Sequence, residues 1–131
     1  MAKVTIQQFN KKAKERGREL VRRMAQNSFS EIILMSPVDT GRFRGNWLAG
    51  IGTYPVGTTE EVDPSGQATI EKASAVVATF EVGQNIHLVN NLPYAHRLEY
   101  GWSSKAPGGM VRLTAKKWQA FADKELAEMG D

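Results

Sequence analysis

A chain of 131 residues with 41% hydrophobic side chains is long enough for one domain around one core, burying about two thirds of the surface its unfolded form exposes. It has no cysteine, which excludes disulfides and thiolate metal sites and leaves the fold to packing. Seventeen Lys and Arg against fourteen Asp and Glu give only +3, but this balance conceals a polarity: Lys3 to Arg23 holds eight basic residues against Glu15 and Glu19, net +6, which leaves −3 for the rest. Such a segment suits nucleic acid or an acidic partner, and it equally suits a solvated helix face.

The longest apolar runs, such as Ile32 to Met35, are far short of the roughly 20 residues a bilayer crossing needs, and the N-terminal residues lack a signal-type stretch. The expectation is a soluble chain, made in a reducing cytoplasm, with no membrane partner.

The first element is a helix. Thr5 and Gln8 have capping-box spacing, and Ile6, Phe9, Ala13, Gly17, Leu20, Val21, Met24, Ser28, Ile32 and Met35 recur at three- and four-residue steps. Gly17 within this stripe marks a close approach to a neighbour or a slight bend. Pro37 disfavours the α conformation at Ser36, so the helix ends near Met35. Asp39, Thr40 and Gly41 then reverse the chain, with Asp39 bonding forward to the backbone and Gly41 free to take positive φ. Beyond the turn, Phe43, Gly45, Trp47, Ala49 and Ile51 alternate with Arg42, Arg44, Asn46, Leu48 and Gly50, which predicts a strand presenting Arg42 and Arg44 on one face.

Residues 52–66, GTYPVGTTEEVDPSG, hold two prolines, three glycines and three acids and predict a mobile, protruding arm or loop. The stretch 67–82 fits either period; a helix over about 65–80 is the preferred reading. NIHLVNN, 85–91, predicts a strand antiparallel to the Trp47 strand. Pro93, Tyr94 and Ala95 open a short helical turn through Leu98 that Gly101 closes. After a loop, a last helix from Thr114 presents Trp118, Phe121, Ala122, Leu126 and Met129 on one side. The class is α+β: a long N-terminal helix, a small antiparallel sheet with an arm, and a C-terminal helix.

The residues offer little chemistry. His87 and His96 lack metal-site spacing, there is no phosphate-binding loop or Gly-x-Ser-x-Gly elbow, and Glu60, Glu61 and Asp63 sit in the arm, where nothing would raise a carboxyl pKa. No catalytic residue, metal or cofactor is expected. Arg42 and Arg44 could clamp phosphate or pair with acids of a neighbouring chain. Tyr94, Tyr100 and Trp102, with Arg97 and Glu99, form either a recognition surface or a cover for the sheet.

Two blocks, SPVDTGRFRGNW (36–47) and VNNLPYAHRLEYGWSSKAPGGMVRLT (89–114), together resemble the paired signature of a family of phage minor tail, or tail-completion, components that sit in the neck where tail joins capsid. Pro37, Asp39, Thr40, Gly41, Arg44 and Trp47 match the first block. Asn90, Asn91, Pro93, Tyr94, Ala95, Glu99, Tyr100 and Gly101 match the second. The resemblance implies a structural virion protein that forms a hexameric ring at the top of the tail, as terminator, completion protein or head–tail connector. Its neighbours would be connector and tail-tube proteins, with genomic DNA passing through unbound. It also implies that the arm engages adjacent subunits.

On this expectation Arg42, Arg44, Trp47, Tyr54, Val56, Glu60, Glu61, Asp63, Tyr94, Arg97, Glu99, Tyr100 and Trp102 are interface residues. The acids at 60, 61 and 63 would face basic residues of the next protomer, and Tyr54, Val56 and Val62 would supply the apolar contact. Pro37, Asp39, Thr40, Gly41, Asn90, Asn91, Pro93, Ala95 and Gly101 would be the structural frame. The competing expectation is a nucleic-acid-binding protein that uses the basic first helix.

Overall fold

The computed structural model describes residues 6–101, 105–106 and 108–130, without the side chains of Ile6 and Phe9. The fold is α+β, as the sequence predicts. Helix α1 (Ile6–Met35) is the spine. Thr5, and with it the expected capping box, lies outside the described residues. The helix stops where Ser36 meets Pro37. There Ser36 Oγ donates back to Ile32 O at 2.8 Å and Ser36 N–H to Ile33 O at 3.2 Å, satisfying two end-of-helix carbonyls. A Cβ on Gly17 would meet nothing within 4 Å among the described residues, so of the two readings of Gly17 the close approach is not made there.

The predicted strand from Phe43 is corrected. Gly41 takes φ +95°, and Gly45 N–H returns to Gly41 O and Asn46 N–H to Phe43 O, which wind residues Arg42–Gly45 into a single turn, α2. Local turn bonds win there over the alternating pattern. Strand β1 therefore begins only at Trp47 and runs to Ile51. The turn sends Phe43 into the core and Arg42 and Arg44 to different partners, so the two guanidinium groups do not share a strand face.

Helix α3 (Gln67–Val77) follows the acidic segment, and β2 (Ile86–Asn90) pairs antiparallel with β1 in the register Trp47↔Asn90 to Ile51↔Ile86. The short helix α4 (Ala95–Glu99) closes on Gly101 at φ +89°. The expected last helix is divided. A 3₁₀-type bond from Lys117 N–H to Thr114 O separates α5 (Val111–Lys116) from α6 (Trp118–Met129).

One core joins these pieces. Ile32 and Ile33 from the end of α1 pack with Phe43, Trp47, Ala73, Leu92, Ala106 and Met110, with Phe29, Ile70, Leu88 and Leu98 against them. Burying side chains of this size stabilises by about 1.5–3 kcal/mol each before conformational entropy is subtracted. The expected face of α6 is corrected as well. Phe121, Ala122 and Met129 are half-buried, but Trp118 and Leu126 are exposed and the fully buried residue is Glu125. The reason is the opposing surface: Asn27 Nδ2 donates to Glu125 Oε1 and Arg23 stands 3.7 Å from Oε2, so α1 offers α6 polar partners here.

Candidate interaction surface

The twelve residues from Ser36 to Trp47 form a corner in which nearly every polar group is used. Ser36 Oγ, besides donating to α1, accepts from Trp47 Nε1 at 2.7 Å, so one hydroxyl ties the end of the helix to the start of the strand. Arg44 donates to Leu34 O, Ser36 O and Pro64 O at 2.7–2.8 Å, capping the C-terminal carbonyls of α1 with a cation, where the helix dipole favours one. Its Nε is buried without a partner among the described residues. Thr40 Oγ1, rather than Asp39, accepts Arg42 N–H at 3.2 Å.

Asn46, 1% exposed, donates to Arg42 O and Thr59 O and accepts Thr59 N–H. A Cβ on Gly41 would come within 2.6 Å of Pro64 N, so its left-handed turn admits no side chain. Pro37 and Val38 line an open groove of about 520 Å³ beside the corner, together with Leu34, Arg44, Lys105 and Leu113.

The second block folds onto the first. Asn90 Nδ2 donates to Phe43 O at 2.9 Å while Asn90 Oδ1 accepts Leu92 N–H, and the Tyr94 ring lies 6.0 Å from that of Phe43. Ala95 N–H bonds to Leu92 O across Pro93 and Tyr94, and Gly101 N–H to Leu98 O. Glu99 accepts the N–H groups of Met110, Val111 and Arg112 and the guanidinium of Arg112, so it caps α5. Burial alone would raise its carboxyl pKa, but these four donors outweigh it and hold it below the ordinary value.

Segment 52–66 is not the free arm expected; it is a fastened strap. A Cβ on Gly50 would meet Thr53 O at 2.7 Å and Pro55 Cδ at 2.8 Å, and Tyr54 stacks on His87, the cross-strand partner of Gly50, with ring centroids 4.0 Å apart. The strap thus covers the sheet face opposite the core. Asn91 Nδ2 then donates to Pro55 O and Gly57 O, Asn46 holds Thr59, and Asp63 N–H reaches Gly41 O.

The acids of the strap find partners in the same chain. Glu60 pairs with Arg42 at 2.9 Å, Glu61 with Lys72 at 3.7 Å, and Asp63 accepts both the N–H and the hydroxyl of Thr69, capping α3. Partial burial pushes the Asp63 carboxyl up, but the bonds from Thr69, Gly66 and Ser65 outweigh it and the net shift is downward.

The expected interface residues therefore divide. Trp47, 7% exposed, is core; Arg44, Asp63 and Glu99 are consumed by internal bonds. Tyr54, Val56, Glu60, Glu61, Tyr94, Arg97 and Tyr100 are exposed, Val56 at 87% the most of the apolar ones, and Tyr100 also packs under the Arg112 guanidinium, 4.3 Å from its ring. Trp102 lies outside the described residues. Sequence reasoning missed Asn46, Glu125 and the capping roles of Asp63 and Glu99. The Asp-Pro-Ser-Gly run directly before a helical pattern is a signal that could have flagged the cap at Asp63.

Among the described residues no group of three or more His, Asp or Glu side chains is placed to hold a metal ion, and no helix is long and apolar enough to cross a membrane. Compared with protein-family models, curated proteins and solved structures, the chain matches none.

Proposed function

We propose that the protein is a structural virion subunit that assembles into a ring at the phage neck or top of the tail, where it joins or terminates the tail. The observation that carries the reading is the convergence of the two blocks behind the resemblance. Residues 36–47 and 89–101, far apart in sequence, fold into one corner whose polar side chains are largely taken up by bonds within the chain. A motif so used is a frame, and the surface it supports presents apolar side chains, Tyr54, Val56 and Val62, of the kind an assembly contact would cover.

Class averages from electron microscopy of purified particles carrying the labelled protein test this directly. A ring of label at the capsid–tail junction is the expected result, and label elsewhere, or none in the particle, removes the proposal.

A second reading, a nucleic-acid-binding protein, is favoured by Lys11, Lys12 and Lys14, all exposed on α1. Sub-micromolar affinity for duplex DNA with a steep loss in salt would support it.

A further inference from the structure

The two strands of the sheet are not equally enclosed. Helix α3 packs closely along β1, whereas β1 is the only described element that packs closely along β2. Leu88 meets the core and His87 lies under Tyr54, yet all five residues of β2 remain half-buried, as an open edge leaves them.

The ladder decides which backbone groups that edge presents. Gly52 N–H donates to Asn85 O at 2.8 Å, and in the register Ile51↔Ile86 this makes 52 and 85 a hydrogen-bonded pair. In an antiparallel ladder such pairs alternate with pairs whose N–H and C=O groups point outward. His87 and Val89 are therefore bonded to Gly50 and Leu48, and the peptide groups of Ile86, Leu88 and Asn90 point away from β1. None of these outward groups has a partner among the described residues.

Sheets usually guard such an edge with a charge, a proline or a bulge, because it is a template for another strand. Residues 85–91, NIHLVNN, hold no acid, lysine, arginine or proline, and the pairing with β1 is regular throughout. A two-stranded sheet is also marginal in water and gains from further strands.

We propose that β2 pairs with β2 of a second copy of this chain, antiparallel and with Leu88 on the two-fold axis, so that two small sheets become one of four strands. Polarity and charge select this occupant. The outward groups at 86, 88 and 90 lie symmetrically about Leu88, so each N–H of one edge meets a C=O of the other: Leu88 pairs with Leu88, and Ile86 with Asn90 of the second copy. An uncharged strand also sets no like charges opposite each other under that symmetry. The contact uses the same patch on both copies, so association stops at two. Strands this short bury little area, which makes the pair weak and dependent on concentration. A two-fold contact makes a pair and not a ring; it is additional to any contact that closes a ring, and it stands without the neck reading.

Amide-resolved hydrogen exchange of the full chain at low and high concentration, with sedimentation velocity, tests the pairing. Dimer formation should slow exchange at Ile86, Leu88 and Asn90 about tenfold or more and leave His87 and Val89, already bonded to β1, unchanged. Ile86→Pro removes an outward donor at the first position of the strand, where proline spares the ladder, and should weaken dimerisation about tenfold. His87 of one copy would face Val89 of the other. A form with H87K and V89K and a form with H87E and V89E should therefore each be monomeric and associate when mixed, with circular dichroism confirming that both fold. Failure of the folded mixture to associate overturns the pairing. So does a wild-type dimer whose three outward amides exchange as in the monomer, or a wild-type chain that is monomeric at every concentration. Protection of those amides only when another protein is added assigns the edge to that protein and likewise overturns the self-pairing. None of these outcomes alters where label falls on a particle, so the neck reading is judged separately.

Discussion

The corner at Ser36–Trp47 and the α1–α6 flank both seat a segment against the same helix, and they do so by opposite means. At the corner, Ile32, Ile33, Phe43 and Trp47 exclude water first, and directed bonds from Ser36, Arg44 and Asn46 then select one arrangement. On the flank, Glu125 is buried against Asn27 and Arg23, Lys117 pairs with Glu31, Arg16 holds Gly130 O, and Trp118 and Leu126 stay in solvent. Apolar packing with satisfied polar groups stabilises and specifies together. A mostly polar contact specifies at little net gain, because desolvation offsets most of what the pairs contribute.

Four measurements would break or sharpen that contrast. Ile33, 0% exposed, is the largest lever: Ile33→Ala should cost about 3–4 kcal/mol in urea unfolding, while Leu126→Ala on the flank should stay within about 0.5 kcal/mol. Equal losses would erase the distinction. Arg44→Ala strips three carbonyls of their donor and should cost about 2 kcal/mol, with Arg44→Lys recovering only part, since an ammonium lacks the planar fork.

Acid should act on the capped joints next. Asp63 and Glu99 both titrate below their ordinary values of 3.8 and 4.5 in the fold. Their contribution is therefore complete above those values and is lost as pH falls through the lower folded ones. Tm should drop below about pH 4, and the drop should be shallower in Glu99→Gln, which is already destabilised at neutral pH. Glu125→Ala should cost less than Ile33→Ala, about 1–2 kcal/mol, with α6 amides exchanging hydrogen faster than those of residues 24–35 of α1. Protection of α6 equal to that of α1 would show that the polar flank is not the weaker contact.

Much of the fold was legible because periodicity survives wherever one face meets a core. The extent of α1, the β1–β2 pairing and α4 all follow from spacing and from Pro and Gly punctuation. The errors have two causes. Arg42–Gly45 alternates like a strand, but a positive-φ glycine and a buried asparagine make it a turn, and α6 turns a glutamate inward because α1 presents asparagine and arginine there. At the turn, bonds between neighbouring residues override the alternation; at α6, partners remote in sequence, which a pattern read along one segment does not contain, decide the conformation. The strap was misread for the same reason. Its composition is that of a loose loop, and what pins it are single side chains, Asn46 and Asn91, supplied by distant parts of the chain.

The Ser36 hydroxyl, gripping Ile32 on one side and the Trp47 indole on the other, acts as a pin through both arms of a joint. The distance along the chain between those arms is thereby gauged to the residue. An insertion anywhere in 37–46 must pull the pin, whereas one at Thr58, between the two asparagine clasps of the strap, merely lengthens a bight already open to solvent. Natural variation in chain length should accordingly gather at the second place and avoid the first.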